Sequence, residues 1–327
     1  MGRYSEAEEW ADITPIAQND GGPNPLAAIA YTEEYSEAMG YFRAVTARNE
    51  NSERVLDLTE HIISMNPAHY TIWLYRANTI FELQQTNGSD LQDDILEELQ
   101  WLDNLSLKHL KNYQIWHHRQ TLMTRLDRIP PTELAFLAQM FAKDAKNYHV
   151  WSYRQWLVRR FALWDTELPY TESLLAADVR NNSAWNHRWF VLFGQHVDPR
   201  SGKGLDELGH IVDEDLLDRE VGYTEDKIRL APQNQSPWNY LRGLLRKRGS
   251  LVECKAFAEE FVGDVEGEGE GCRSSHALDF YADCMAEEKE AEKAGKALEL
   301  LAKRFDPIRR NYWNYRRGLL GLGAVQA

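Results

Sequence analysis

A tryptophan followed three residues later by an arginine recurs along this chain of 327 residues. The steps from the second to the third and from the third to the fourth tryptophan are 35 and 34 residues. A period in the thirties is typical of stacked supersecondary units, so the chain is predicted to be a repeat array with one long concave face. The copies are Trp73/Arg76, Trp116/Arg119, Trp151/Arg154, Trp185/Arg188, Trp313/Arg316, and a sixth at Trp238 with Leu241 in the arginine position.

The residues around each tryptophan predict a pair of helices. An amphipathic stretch comes first, as at Leu91, Ile95 and Leu99, and a short polar turn separates it from the helix that carries the tryptophan. An asparagine four residues before the tryptophan is a favoured helix N-cap. The caps predicted in this way are Asn112, Asn147, Asn181 and Asn234. No segment alternates convincingly as a strand, so we expect an all-α fold, a right-handed superhelix (α-solenoid) of six to seven helical hairpins forming a crescent.

An N-terminal arm precedes the array, and two insertions interrupt it. Residues 1–35 are acidic and rich in turn formers, which predicts a poorly ordered N-terminal arm before a solenoid over 36–327. Two longer steps between tryptophans predict insertions near 197–215 and 263–271. A degenerate repeat without its tryptophan is expected near 275–281.

The recurring tryptophans and arginines are interpreted as structural. A tryptophan buries a large apolar area and can join one hairpin to the next. The arginines are expected to bond carbonyl or carboxylate oxygens of a neighbouring hairpin, with their stems packed on the tryptophan ring.

Composition excludes several classes of function. A net charge of −14 disfavours nucleic acid and anionic membranes as main partners. No apolar run is long enough for a membrane span, the start lacks a secretory signal pattern, and three isolated cysteines are typical of a reduced, cytoplasmic protein. His117 and His118 lack the pattern of a metal site, so no metal is expected on this chain. No phosphate-binding or nucleophile motif predicts a self-contained active site.

Two turns differ from the others in chemistry. Lys111 precedes Tyr113 and Gln114, and the next turn repeats the arrangement with Tyr148 and His149. The N-terminus of a helix attracts anions through free N–H groups and the helix dipole, and a lysine adds to this. The residues alone leave two interpretations open, an anion or partner site and ordinary solvated turns.

Four blocks resemble the repeats of protein prenyltransferase alpha subunits. They are residues 112–119, 144–151, 181–188 and 238–241, and the resemblance extends over roughly 35–320. It is greater to the branch shared by protein farnesyltransferase and protein geranylgeranyltransferase type I than to the Rab geranylgeranyltransferase branch.

The resemblance implies an obligate heterodimer in which the crescent wraps an α/α-barrel beta subunit. The beta subunit would hold the zinc and most of the isoprenoid pocket, and magnesium would accompany the isoprenoid diphosphate. The enzyme would transfer farnesyl or geranylgeranyl from its diphosphate to the cysteine of a C-terminal CaaX motif, forming a thioether. Its protein substrates would be CaaX-terminated proteins such as Ras-like and Rho-like GTPases.

The resemblance also implies roles for particular residues. Lys111 is expected to contact the diphosphate and act in catalysis. Tyr113 and Gln114 would line the substrate pocket, with Gln114 at the terminal carboxylate of the peptide. The next turn would border the same pocket through Asn147, Tyr148 and His149. The alternatives are a Rab-type alpha subunit and a non-catalytic helical-repeat adaptor.

Overall fold

The computed structural model describes residues 2–22, 24–27, 29–88, 90–194 and 214–325, and these residues are helical with no strand. None of the helices found in these ranges is both long and apolar enough to cross a bilayer. The helices are α1 (Glu33–Ala47), α2 (Glu53–Met65), α3 (Tyr70–Asn87), α4 (Leu91–Lys108), α5 (Tyr113–Met123), α6 (Glu133–Lys143), α7 (Tyr148–Phe161), α8 (Trp164–Ala177), α9 (Asn182–Phe193), α10 (Glu214–Leu230), α11 (Gln235–Arg248), α12 (Lys255–Val262), α13 (Ser275–Glu287), α14 (Ala291–Leu300) and α15 (Arg310–Leu319).

The chain forms two compact units, Met1–Ala162 with α1–α7 and Leu163–Ala327 with α8–α15. Within the described ranges, helices that follow one another pack as hairpins: α2/α3, α4/α5 and α6/α7 in the first unit, and α8/α9, α10/α11, α12/α13 and α14/α15 in the second. The all-α prediction with six to seven hairpins is confirmed. At the predicted degenerate repeat the structure has the hairpin α12/α13, in which Leu278, four residues after the cap Ser274, is fully buried.

The predicted asparagine caps are confirmed. The side-chain oxygens of Asn112, Asn147, Asn181 and Asn234 each accept backbone N–H groups from the first turn of the following helix, in α5, α7, α9 and α11. This bond satisfies donors that a helix start otherwise leaves unpaired. The tryptophan one turn later is buried in every copy, so the packing role predicted for it is also confirmed.

Most of the tryptophans also bond the turn before their own helix. The indole N–H of Trp73, Trp185 and Trp238 donates to the carbonyl oxygen six residues earlier, at 2.9 Å in each case. The ring therefore packs the core and orients the turn at the same time. Buried indole N–H groups usually find such a partner.

The capping asparagines have a second bond, which we call the inter-turn hydrogen bond. The amide nitrogen of Asn112 donates to the Pro67 carbonyl at 3.0 Å, and that of Asn234 donates to the Val179 carbonyl at 2.8 Å. Each of these carbonyls belongs to the corresponding turn of the preceding hairpin. One asparagine side chain thus starts a helix and joins it to the turn before.

Buried ion pairs connect consecutive hairpins. The guanidinium of an arginine on the second helix of one hairpin donates two bonds of 2.6–2.8 Å to a glutamate on the first helix of the next. The planar guanidinium fits a carboxylate in this bidentate way. The pairs are Arg76–Glu98, Arg119–Glu133 and Arg188–Glu220. The predicted bond to a neighbouring hairpin is confirmed for these three.

The guanidinium groups of these three arginines also lie over aromatic rings of the next hairpin, at 3.9–4.4 Å from the ring centroid. The predicted packing of their aliphatic stems on the repeat tryptophan stays a prediction. The rings belong to Trp101, Phe136 and Tyr223, each three residues after the paired glutamate. Because residues three apart share a helix face, glutamate and ring meet the arginine together.

Arg154, the arginine that follows Trp151 in the series, is a buried residue. It belongs to α7 and is only 5% exposed. Arginine is rarely buried to this extent unless its charge has a structural role. Arg154 is therefore not a site residue that a ligand could reach, and its burial agrees with the structural interpretation. Its predicted bond to a neighbouring hairpin stays a prediction.

Arg316, the last arginine of the series, bonds in the opposite direction along the array. Its guanidinium donates to the carboxylates of Asp279 and Asp283 on α13, in the preceding hairpin. It also lies 5.8 Å from the ring centroid of Trp313, the tryptophan of its own repeat. The predicted carboxylate contact is confirmed for Arg316, whereas the packing of its stem on the tryptophan ring stays a prediction.

Two of the glutamates accept a further bond from their own hairpin. Glu98 accepts from His118 at 2.8 Å, and Glu220 accepts from the Tyr240 hydroxyl at 2.9 Å. Burial by itself would raise the pKa of the Glu98 carboxyl. Arg76 and His118 outweigh that effect and lower the pKa to about 2, so the carboxylate stays charged.

The first part of the predicted N-terminal arm is packed against the helices, and the prediction of poor order is wrong for it. Tyr4, Trp10 and Ile13 are at most 5% exposed. The Tyr4 hydroxyl lies 2.7 Å from Nδ1 of His61 on α2, and Glu37 of α1 accepts the backbone N–H of Tyr4. Acidic composition suggested a solvated segment, but widely spaced aromatic residues are sufficient to anchor it.

The two predicted insertions differ in what can be said of them. The first lies almost entirely at 195–213, outside the described residues. The second, 263–271, closes on itself through backbone bonds between Asp264 and Glu270 and between Gly269 and Asp264, both 2.9 Å. Gly263 has φ +67°, and a Cβ there would lie 2.3 Å from the Glu270 carbonyl oxygen. A residue with a side chain would therefore open this closure.

We predict that Glu220→Ala strongly destabilises the protein. Glu220 is fully buried, and its removal leaves the Arg188 guanidinium charged, buried and without its bidentate partner. Removing one partner of a buried pair costs about 3–5 kcal/mol. Urea unfolding of the purified protein would measure the loss as a lower midpoint.

Glu172→Ala is the matched control, since Glu172 is half-exposed and contacts the same guanidinium at 3.4 Å. An exposed pair of this kind contributes about 0–1 kcal/mol. Equal losses for the two variants would show that burial of the pair does not matter.

Candidate functional site

Two adjacent turns of the first unit hold the residues that the sequence singled out. One turn joins α4 to α5 and carries Lys111, which is exposed. The other joins α6 to α7. The first residues of the two helices, Tyr113 and Tyr148, are 67% and 69% exposed. Large aromatic side chains exposed in this way on neighbouring turns form a surface available to a ligand or a partner.

The structure brings side chains of the two turns into contact. The rings of Tyr113 and His149 meet edge to face with centroids 4.2 Å apart. The Tyr148 ring lies 5.8 Å from the same imidazole. His149 therefore sits between the two tyrosines, and it is only half-buried. Sequence spacing could place these residues on equivalent turns, and the fold adds the ring contact.

The helix N–H groups expected to attract an anion already donate hydrogen bonds to the capping asparagines. The N–H groups of Gln114 and Ile115 donate to the Asn112 side chain at 2.8 and 3.1 Å. In the next turn, those of His149 and Val150 donate to a side chain in the same way. An anion at these turns would therefore depend on the Lys111 ammonium and the helix dipole, with fewer free N–H groups than the sequence suggested.

Asn147 is not placed to touch a substrate, so the prediction that it binds one directly is wrong. It is only 2% exposed. Its amide nitrogen donates to the Leu110 carbonyl at 2.8 Å, and its oxygen caps α7. Because both ends of its amide bond backbone groups, Asn147 stabilises the two turns and does not bind a ligand itself.

The electrostatic environment keeps His149 neutral. Partial burial lowers the pKa of its imidazole below the ordinary value of 6.5, and the positive charge of Lys111 lowers it further. At neutral pH the ring therefore has one N–H donor and one acceptor nitrogen.

Gln114 faces a separate space, a cleft of about 240 Å³ between α3 and α5. Tyr70 and Leu74 of α3 line its other side together with His117. Tyr70, which is 69% exposed, is a candidate site residue that was not predicted from the sequence. The signal was present, because Tyr70 precedes Trp73 by the three residues that separate Tyr113 from Trp116 and Tyr148 from Trp151.

The histidine pair beside these residues is divided between two environments. His117 is exposed, whereas His118 is buried and bonded to Glu98 at 2.8 Å. Among the described residues, no group of three or more histidine, cysteine, aspartate or glutamate side chains is arranged to hold a metal ion.

Comparison with known protein families agrees with this geometry. The family model described as protein prenyltransferase alpha subunit repeat matches residues 52–83, 95–126, 130–161, 164–194 and 217–248. The first three matches follow the hairpins α2/α3, α4/α5 and α6/α7. The chain belongs to the protein prenyltransferase alpha subunit family.

Individual relatives are similar over most of their length. The protein farnesyltransferase/geranylgeranyltransferase type-1 subunit alpha of Candida albicans is 35% identical over 94% of this chain and 95% of that protein. The subunit of the same name from Schizosaccharomyces pombe is 50% identical over 74% of each chain. A chain of the solved Candida albicans protein geranylgeranyltransferase-I complexed with GGPP matches with a TM-score of 0.80 and 36% identity, covering 94% of this chain and 97% of that one.

We predict that Lys111→Met raises the pKa of His149 towards its ordinary value without reaching it, because burial remains after the charge is removed. Titration of the His149 ring signals by NMR, assigned with a His149→Asn variant, would measure the shift.

Lys146→Met is the control, because Lys146 occupies the equivalent position one turn later and is not a cause of the His149 shift. A His149 pKa that does not respond to Lys111→Met would show that the two side chains are not close in solution.

Proposed function

We propose that the chain is the alpha subunit of a heterodimeric CaaX prenyltransferase, an enzyme active only with its beta subunit. One observation carries the proposal. In a member of this family, the rings of Tyr113, Tyr148 and His149 come together on two adjacent exposed turns, and one of these turns carries Lys111. With a beta subunit, the enzyme transfers farnesyl or geranylgeranyl to the cysteine of a C-terminal CaaX motif.

Lys111 acts on the leaving group of this reaction. The cysteine thiol gives up its proton to water, and the resulting thiolate sulfur forms a bond to C1 of the isoprenoid while the bond from C1 to the diphosphate oxygen breaks, so that diphosphate leaves with the electron pair. Negative charge therefore grows on the departing diphosphate. An ammonium held at that position stabilises the transition state more than the bound substrate.

The other exposed residues shape the pocket. Tyr113 and Tyr148 present rings that can pack on the isoprenoid or the peptide, and the neutral His149 between them can donate or accept one hydrogen bond. Gln114, in the cleft shared with Tyr70, offers amide N–H donors to the terminal carboxylate of the peptide.

Metal chemistry is assigned to the other subunit. Zinc, held by the beta subunit as the family resemblance implies, would supply the activated thiol. Among the described residues of this chain, no histidine, cysteine, aspartate or glutamate side chains are grouped to hold a metal ion. Magnesium would accompany the diphosphate as part of the substrate. The contribution of this chain is to bind, orient and neutralise charge.

A partner surface accounts for the exposed aromatic residues. Tyr70, Tyr113 and Tyr148 occupy the same repeat position at the starts of α3, α5 and α7, and all three are at least two-thirds exposed. Tyrosines are enriched at protein interfaces, where the ring is covered and the hydroxyl finds a polar partner. The beta subunit is the partner proposed to cover this row.

We predict that co-expression with a beta subunit yields a complex that prenylates CaaX peptides, whereas this chain alone has no activity. The assay would use farnesyl and geranylgeranyl diphosphate with peptides that differ in the last residue. An interface larger than the standard ~1,600 Å² is expected for a permanent complex, so the two chains should co-sediment at nanomolar concentration.

The assay also separates the alternatives. A Rab-type alpha subunit would give transfer to Rab proteins and none to CaaX peptides. An adaptor would bind a partner and transfer nothing, and either result would refute the proposal.

We predict that Lys111→Ala lowers the single-turnover rate of prenyl transfer about 10²-fold, the loss typical of removing one preorganised electrostatic group. Assembly and zinc content of the complex should stay the same, because an exposed lysine contributes little to folding.

Lys146→Ala is the matched control, an exposed lysine at the same position of the next turn. It should lower the rate less than 2-fold, in line with a surface residue outside the site. An unchanged single-turnover rate in the Lys111→Ala variant would show that Lys111 does not act on the diphosphate.

A further inference from the structure

The turn that carries Lys111 is joined to the helix that carries His149 by one buried side chain. The amide nitrogen of Asn147 donates to the carbonyl of Leu110, the residue before Lys111, at 2.8 Å. The oxygen of the same amide accepts the His149 N–H at 2.9 Å. Besides the ring contact of Tyr113 with His149, hydrogen bonds through Asn147, which is 2% exposed, therefore connect the two halves of the candidate site.

This turn is held differently from the equivalent turns of other hairpins. The Pro67 and Val179 carbonyls each accept an inter-turn hydrogen bond and also the indole N–H of the tryptophan six residues later. At Leu110 the second bond is missing, and the buried indole nitrogen of Trp116 finds no partner among the described residues. Within the described part of the chain, Asn147 supplies the only side-chain hydrogen bond to the Leu110 carbonyl.

We infer that Asn147 is a positioning residue for Lys111, an inference that rests on the proposed role of Lys111 at the diphosphate. The lysine side chain is long and exposed, so its reach is set by where the backbone of the turn lies. Without the bond from Asn147, Asn112 still caps α5. The Leu110 carbonyl, however, would then accept no hydrogen bond from a side chain of the described residues.

The expected consequence is kinetic. The ammonium stabilises charge that develops only during the reaction, and displacement of a catalytic group by about 1 Å can cost as much as 10²-fold in rate. Loss of the Asn147 bond should therefore lower the rate of the chemical step while the affinity for the isoprenoid diphosphate changes little.

The chain itself shows which substitution should preserve the function. Ser274 occupies the cap position of α13, where its hydroxyl accepts the Ala277 N–H at 3.1 Å and donates to the Pro232 carbonyl at 2.6 Å. A serine can thus make both bonds in this setting. Asn147→Ser is the conservative variant, whereas Asn147→Gly removes the side chain and leaves a residue that is itself tolerated at helix N-caps.

The experiment uses the assembled heterodimer. Single-turnover rates and the KM for farnesyl or geranylgeranyl diphosphate are measured for Asn147→Gly, Asn147→Ser and Asn234→Gly, each with and without Lys111→Ala. Asn234 makes the same cap and inter-turn bond in the second unit, to the Val179 carbonyl that Trp185 also bonds. It controls for the general effect of losing such an asparagine.

We expect Asn147→Gly to lower the rate about 10-fold when Lys111 is present and less than 2-fold when it is absent, since residues that act through one another are not additive. Asn147→Ser and Asn234→Gly should keep at least half of the rate. This pattern would support the positioning role.

Two results would overturn it while leaving Lys111 at the diphosphate: an equal loss from Asn147→Gly in both backgrounds, or an equal loss from Asn234→Gly. A Lys111→Ala complex with the full rate would instead refute the proposed role of Lys111 itself, and with it the inference. If Asn147→Gly does not assemble, a rate for Asn147→Ser as low as that of Lys111→Ala would overturn the inference on its own.

Discussion

The buried arginine–glutamate pair between consecutive hairpins is the interaction on which the rest of the structure depends. Arg119 and Glu133 are each about 1% exposed and share two hydrogen bonds. A charge that is buried this deeply must stay paired, since leaving it alone costs several kcal/mol. The pair therefore admits few arrangements of one hairpin on the next. We infer that these pairs contribute to the specific packing of each hairpin on its neighbour.

The asparagine caps and the tryptophans fix the turns in the same way as the ion pairs fix the helices. Because each inter-turn hydrogen bond joins one cap to the turn before it, successive turns keep a constant relation while their exposed residues are free to differ. Tyr70, Tyr113 and Tyr148 show the constant relation, since one exposed position is repeated on three helices, whereas the residues that follow them differ. In the proposed function, the site residues are ones that the scaffold does not need, a division typical of binding turns on rigid elements. Lys111 lies on such a turn.

Part of the candidate site could be predicted from the sequence, and the errors have a common origin. Lys111, Tyr113, Tyr148 and His149 lie on exposed or half-exposed turns, as expected from residues that vary within a repeated frame. The interpretation of Asn147 was wrong because the cap and a ligand contact have the same sequence signal, a polar residue in a turn. Only burial separates them, and burial depends on the preceding hairpin. The packed arm was missed for the same reason, since its aromatic residues meet distant helices.

Local signals in the sequence by themselves determined the helical hairpins, their period and their caps. A cap depends on residues two or three positions away, and a helix face on residues three or four away, so both are encoded within a short segment. The tertiary structure decided which glutamate pairs with each buried arginine. The same bidentate pair forms over separations of 22, 14 and 32 residues, for Arg76, Arg119 and Arg188. Sequence distance therefore carries no information about which glutamate is chosen. The contact of Tyr113 with His149 and the hold of Asn147 on the Lys111 turn arise in the same way, from hairpins that meet only in the folded chain.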